Sequence, residues 1–449
     1  MLLEFSVKNY RSFREKMTFS MLAAAKQKGL DYSVVSKKNR AKKYKILSSA
    51  IIYGPNASGK SNIIGVLDTF KSIILRGNIR NSNVGNNPNM AANALELIPN
   101  NTIEEIEPVE FSIKFLVNEL VFWYDISIDL GKFLDENYNR RILKETLFIN
   151  DKLIFDRSNN LEFGDFKVIK DYIDKIFLDN RSSAIKLAEN NLKAEELFLT
   201  NGFKNIFSSK LVDIILEWIT KKLIVIYRAD AVQAVRKISV QNSDSVHVIN
   251  ILNKAAKQFG IGSNALGYIF DDKQKTTILC SLFQSNGYSG IGIPAEIFES
   301  YGTIRFVNLF PIIADALTNG GTLVIDEFDA SIHPMALINI VNIFHNLDIN
   351  INNAQLIVNS HNPIFLNSNI YRRDEIHFVE RDAATHCSSH YTLADFGTSG
   401  KFGVRNNEDY LKNYFVNRYG GITDIDFTPV FEEIINNQKK VQGHVTEDK

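Results

Sequence analysis

The chain has 449 residues, 45% hydrophobic and 23% charged, enough apolar material to build a core without disulfide staples. Its 51 basic and 51 acidic residues cancel, which excludes a uniformly basic nucleic-acid binder but leaves room for a local patch. The two cysteines, Cys280 and Cys387, make no disulfide framework and point to a reducing compartment.

The N-terminus reaches Glu4 too early for a signal-peptide core, and no apolar run attains the roughly 18 residues of a spanning helix. A cytoplasmic protein without membrane contact is expected. Leu2 to Lys8 alternates and predicts a strand; Met17 to Ala24 is a second apolar stretch. Lys37, Lys38, Arg40, Lys42, Lys43 and Lys45 crowd one short segment, either a solvated loop or a contact for nucleic acid or an acidic protein. Ile46 to Tyr53 predicts an apolar strand interrupted at Ser48-Ser49, and Asn62 to Leu75 has helical spacing. Asn81 to Ala94, rich in Asn and Gly, is expected to be a mobile loop. Val109 to Leu130 alternates like antiparallel hairpins, and 142–156 adds two strands. Residues 165–260 read as mostly helical, over Phe166 to Leu178, Ala184 to Leu199 and Lys210 to Ile224, without sustained heptads. Strands and helices alternate again from Thr276 to Val379, and Asn437 to Lys449 is a polar tail expected to fray.

Three segments carry chemistry. Gly54-Pro55-Asn56-Ala57-Ser58-Gly59-Lys60-Ser61 fits the phosphate-loop pattern GxxxxGK[ST], with a strand before it and a helix opening at Asn62 after it. Its glycines let backbone N–H groups close around phosphate oxygens, and the helix N-terminus adds positive potential. Lys60 is placed to reach the β and γ phosphates of ATP, and the Ser61 hydroxyl to ligate Mg²⁺. Next, Thr322 to Ile325 forms a buried-strand signal that ends in Asp326-Glu327. Two adjacent acids there need a cation or partner, which makes Asp326 a Mg²⁺ ligand and Glu327 the general base for water. In the third, the strand Gln355 to Asn359 runs to His361, whose neutral ring could bond the γ-phosphate and the attacking water.

Together the three segments resemble ABC-type ATPase heads, the class shared by ABC transporters and the SMC family. The resemblance implies an α/β fold: a P-loop parallel sheet core plus an antiparallel β subdomain, with a mainly helical insertion. It makes Asp329 to Pro334 a D-loop, His361 a switch histidine, and Ser300 and Gly302 the remnant of an LSGGQ-like signature. Tyr301 and Thr303 depart from that pattern, and no Q-loop glutamine can be placed. In this class the signature touches the nucleotide on an opposing head, which implies a homodimer or higher homo-oligomer through the ATP sites. The short insertion, Phe5 to Phe13, Arg372 to Glu380 and Asn417 to Ile422 are similar to the SMC-like ATPases of bacterial anti-phage systems, including OLD proteins. OLD proteins continue into a TOPRIM nuclease, whereas the segment after Gly400 is too short for one. Asp374, Glu375, Glu380 and Asp382 read as surface groups flanking a strand. The resemblance is therefore to the ATPase component of two-protein PARIS systems, with a separate effector nuclease and a phage trigger protein as partners.

The expected layout is an N-terminal half-head over 1–160, the insertion over 161–275, a C-terminal half-head over 276–400, and an extension over 401–449. Two other functions stay open: a DNA-maintenance ATPase of the SMC or recombination type, and a nucleotide-regulated interaction module with little turnover. His386, Cys387 and His390 lack a fourth metal ligand and read as a surface loop.

Overall fold

A computed structural model describes residues 1–25, 27, 29–39, 41–80, 97–100, 102, 107–131, 138–173, 181–227, 246–248, 250–260, 265–271, 276–285, 288–399, 403–405, 408–423 and 425–436. Arg40, the expected loop Asn81 to Ala94 and the tail Asn437 to Lys449 lie outside these residues. In chain order the strands are β1 (Leu2–Lys8), β2 (Met17–Ser20), β3 (Val34–Lys38), β4 (Lys43–Leu47), β5 (Ser49–Tyr53), β6 (Val109–Val117), β7 (Leu120–Asp129), β8 (Arg141–Ile149), β9 (Lys152–Arg157) and β10 (Leu161–Phe163). They continue as β11 (Leu223–Ile226), β12 (Val246–Val248), β13 (Ala265–Asp271), β14 (Thr276–Ser285), β15 (Tyr288–Pro294), β16 (Thr322–Ile325), β17 (Gln355–Asn359), β18 (Ile376–Arg381) and β19 (Ser388–Thr392).

The central sheet runs β11-β16-β17-β5-β18-β19, parallel except for the edge strand β19. Its inner strands are continuous apolar runs because both faces are covered. Ala50, Ile52, Val324, Ile357 and Val379 face the helix Lys60–Arg76 and, beyond it, the antiparallel sheet β10-β9-β8-β7-β6-β1-β2. Ile51, Tyr53, Leu323, Ile325, Leu356, Val358 and Phe378 face the helices Tyr301–Asn319 and Pro334–His345. The result is the layered α/β head that the three segments predicted. The middle helix is held from both sides: its apolar stripe buries Ile63, Leu67, Phe70 and Ile74, and Phe70 stacks on Phe111 and Tyr124 at 5.5 and 5.9 Å. Gly77, at φ 68°, ends it by donating its N–H to Ile73 O.

The two large sheets are stitched by Gln355, which is fully buried. Its Oε1 accepts from Leu2 N at 2.7 Å and Thr322 Oγ1 at 2.9 Å; its Nε2 donates to Leu2 O at 3.0 Å and Leu47 O at 3.1 Å. Gln355→Leu strands four polar groups in a dry core. A loss of about 2–5 kcal/mol in unfolding free energy is expected, read from the chemical-denaturation midpoint.

Several expectations need correction, among them the helix expected over Ala184 to Leu199, which ends at Asn191. Lys210 to Ile224 is not helical to its end: the helix Ser209–Glu217 continues as a wider turn to Lys222, and Leu223–Ile226 then pairs in parallel with β16 as an edge of the central sheet. Four consecutive apolar residues satisfy a buried strand as well as a helix, and pairing decides between them. Asp374 and Glu375 are not surface groups. Asp374 is held by Arg372 at 2.9 Å and accepts Ala24 N at 2.8 Å; Glu375, with no exposure, accepts Ser49 Oγ at 3.0 Å. Arg373 grips Gln27 and the carbonyls of Gly397 and Val404, so this run ties those segments to the sheet.

Candidate functional site

In parallel sheets, ligands bind where the strands' C-terminal ends open into loops. Here β5, β16 and β17 are adjacent and in register, with Ile325 opposite Val358 and Asn359 opposite Ile52. Their ends deliver the phosphate loop, Asp326-Glu327 and Asn359-Ser360-His361 to one place.

The phosphate loop is shaped by close approaches from behind. A β-carbon at Gly54 would lie 2.3 Å from Val379 O, and one at Gly59 would lie 2.7 Å from both Ser12 Oγ and Ser388 Oγ. Gly59 also sits at φ 111°, a conformation that only glycine adopts without strain. Ser388 Oγ donates to Ser58 O at 2.5 Å, Arg381 reaches Ala57 O at 3.4 Å, and Asn62 Nδ2 donates to Ser12 Oγ at 2.8 Å. The turn after β1 braces the following helix. Tyr10 bonds Thr69 at 3.0 Å, and Arg11 donates to Tyr227 OH at 2.6 Å and Asn62 Oδ1 at 3.4 Å. This explains why the Phe5 to Phe13 stretch matters, and burial pushes the Tyr10 phenol up to about 12.

Lys60 folds back over the loop, donating to Gly54 O at 2.7 Å and Pro55 O at 2.9 Å. Burial lowers its ammonium to about 8, against the pull of Asp326, Asp329 and Glu327. Ser61 Oγ donates to Asp326 Oδ1 at 2.9 Å, and Asn359 Nδ2 bonds the same oxygen. Asn359 Oδ1 in turn accepts Glu327 N at 2.5 Å, so one side-chain amide fixes the Asp326 carboxylate and the Glu327 backbone. Glu327 sits at φ 51°, costly for a non-glycine residue, with its carbonyl gripped by Arg305 from the helix Tyr301–Asn319. Asp329 accepts His361 N at 3.0 Å and Asn362 N at 2.8 Å, tying the β16 loop to the β17 loop. Desolvation, with Lys60 second, holds His361 below the usual imidazole range, so its ring is neutral at neutral pH.

These groups fit a nucleotide and Mg²⁺. Ser61 and Asp326 offer hard oxygen donors within hydrogen-bonding distance of each other, the ligand type this ion takes. Ser58 Oγ is buried inside the loop with no hydrogen-bond partner.

Ser300 and Gly302 lie at the start of the helix Tyr301–Asn319. Ser300 caps the helix Tyr301–Asn319, its Oγ accepting Thr303 N at 3.1 Å. A β-carbon at Gly302 would lie 2.1 Å from Ser331 O, so glycine is required where this helix meets the loop after Glu327. Asn359 and Arg305 were missed from sequence. Asn359 closes a predicted strand with no role that the sequence announces, and Arg305 carries no local signal. His390 is not part of a surface loop: it lies on β19, 2.9 Å from His377 Nδ1 and stacked near Phe19, and burial lowers its ring to about 4. His386 is in an exposed turn, and Cys387 Sγ is 3.4 Å from Thr102 Oγ1.

A phosphate cradle, an acidic strand end and a polar strand end on a layered α/β head define an ATPase-type domain with an ABC-type head fold. Within it, the chain belongs to the family described as "AAA domain, putative AbiEii toxin, Type IV TA system", matched over residues 49–367. No curated protein matches the chain. It is similar to the solved SMC head domain from Thermotoga maritima, with 13% identity over 87% of this chain and 98% of that one, at TM-score 0.34. It is also similar to an SMC head bound to the C-winged helix domain of ScpA, with 11% identity over 88% and 99%, at TM-score 0.38.

Proposed function

We propose that the protein binds and hydrolyses ATP as a homodimer or higher homo-oligomer, and that this cycle makes it a sensor and scaffold in anti-phage defence. The observation that carries the ATPase reading is the 2.9 Å bond between Ser61 and Asp326, residues far apart in sequence, beside buried Lys60. The loop N–H groups and Lys60 would hold the phosphates, and Ser61 and Asp326 would hold Mg²⁺. That ion supplies charge neutralisation at the transferring phosphoryl group. Glu327, with its backbone fixed, orients and deprotonates the water; neutral His361 bonds that water and the γ-phosphate. Ser300 and Gly302, at the start of the helix Tyr301–Asn319, would complete the site of a second copy.

The test is release of phosphate from ATP across a range of protein concentrations. Specific activity is expected to rise with concentration as copies meet. Tight ATP binding without phosphate release at any concentration rejects hydrolysis in favour of a nucleotide-regulated interaction module. A pH dependence accompanies it. Lys60 titrates near 8 in the free protein, and a bound polyphosphate raises that value, so binding takes up a proton above pH 8. ATP affinity is therefore expected to fall as pH climbs past 8, with proton uptake measurable by calorimetry in buffers of different ionisation enthalpy.

The defence role rests on the likeness to SMC-like anti-phage ATPases and, within them, to the ATPase of PARIS systems. It implies a separate effector, a TOPRIM nuclease, released or activated when a phage trigger changes the assembly. A cytoplasmic location goes with this reading, and among the described residues no helix is long and apolar enough to cross a membrane. One observation favours the DNA-maintenance reading: the hairpin β3–β4 exposes Lys38, Lys42, Lys43 and Lys45. Binding to duplex DNA that weakens steeply with salt, and is lost when these lysines become glutamate, would favour that reading.

A further inference from the structure

Between Ile425 and Asn436 the chain carries no lysine or arginine, and Phe427, Val430, Phe431, Ile434 and Ile435 fall at the spacing of one apolar helical stripe. The local sequence makes that helix, which runs over 428–436. Asp426 Oδ1 accepts Thr428 N at 2.9 Å, Phe427 O accepts the N–H groups of Val430 and Phe431 at 3.1 Å, and Pro429 falls in the first turn, where its missing donor is harmless. Such a stripe is ordinarily packed on its own domain. Here it is left in water: Phe427 is 65% exposed, Phe431 60%, and Val430, Ile434 and Ile435 about half. The preceding segment is anchored. Gly421 N donates to Glu380 Oε1 at 2.6 Å, one residue before Arg381, which touches the phosphate loop.

Area and charge select what covers it. The helix is roughly 14 Å long, and a lasting self-association through one face needs about 800 Å² per partner. Two copies of so short a helix supply far less, and would bring Glu432 and Glu433 of both copies to one small contact. A groove that surrounds the helix covers both phenylalanines, and a basic rim satisfies Asp426, Glu432 and Glu433. We infer that residues 425–436 are a docking helix for a different protein, one that presents an apolar groove with a basic rim. This deepens the two-protein reading above and rests on it.

The test uses the full chain expressed in its host, with a photo-crosslinking phenylalanine analogue at position 431 or, separately, at exposed Ile351. The expected result is a light-dependent adduct from position 431 to one other protein, whose cross-linked peptide carries apolar residues beside lysine or arginine. Charge reversal by Glu432→Lys with Glu433→Lys should cut that adduct at least about tenfold while leaving ATP-dependent self-assembly and the melting temperature unchanged. An adduct with a second copy of this chain, or one indifferent to charge reversal, overturns the proposal. So does a heterologous adduct from position 351 alone, which leaves the two-protein reading standing. No heterologous adduct from either position overturns both.

Discussion

Lys60→Ala is expected to weaken ATP binding by about two to three orders of magnitude without unfolding the protein. The ammonium is folded over the phosphate loop, within 2.9 Å of both Gly54 O and Pro55 O. Against phosphate at that range a partly buried cation contributes roughly 3–4 kcal/mol, and a tenfold change in affinity corresponds to about 1.4 kcal/mol. The folded protein itself gains little from the charge, because burial already disfavours it and lowers its titration to about 8. Removing it frees two loop carbonyls to water and relieves that penalty. Calorimetric titration with ATP should therefore show lost binding while thermal unfolding without nucleotide stays within a few degrees of the parent. A variant that binds ATP normally would remove Lys60 from the site; one that melts far earlier would make it structural.

The pairing of these two effects bears on what a sequence can disclose. The phosphate loop was legible because its chemistry is local: the glycines, the lysine and the hydroxyl sit within eight residues, and a helical period follows directly. The acidic strand was legible for a similar reason, since two carboxylates after four buried residues have few cheap environments. Asn359 was not. Its importance lies in bonding Asp326 and Glu327 at once, and nothing in an asparagine at a strand end announces partners from another strand. Arg305 likewise acquires its role only when the helix Tyr301–Asn319 is laid against β16. The run from Arg372 to Glu375 misled in the opposite direction. Four charges in succession look solvated, yet Arg372 pairs with Asp374 while Gln27 and Ser49 hydrogen-bond the other two, so the group is buried with its polar atoms partnered. Periodicity and motif read single segments. Closure of a polar network depends on which segments meet.

Glu327→Gln carries the other large expectation: ATP is bound, turnover falls by about 10²–10⁴, and the assembled state accumulates. The substitution keeps the shape and removes only the proton acceptor. The backbone at φ 51° is set by Asn359 Oδ1 on the N–H and Arg305 on the carbonyl, contacts that a glutamine leaves intact. Lys60, Ser61 and Asp326, which would hold the phosphates and metal, are unchanged, so affinity should stay near the parent's. A barrier raised by about 3–5 kcal/mol then leaves copies joined through unhydrolysed nucleotide. Light scattering should show a long-lived larger species with ATP in the variant and a transient one in the parent. The backbone strain sharpens the comparison. Glu327→Gly relaxes the left-handed position and also removes the carboxylate, so it should lose turnover while slightly gaining stability. If Glu327→Gln hydrolyses ATP near the parental rate, the base is elsewhere, and the strained geometry at the end of β16 serves only to position Asp326.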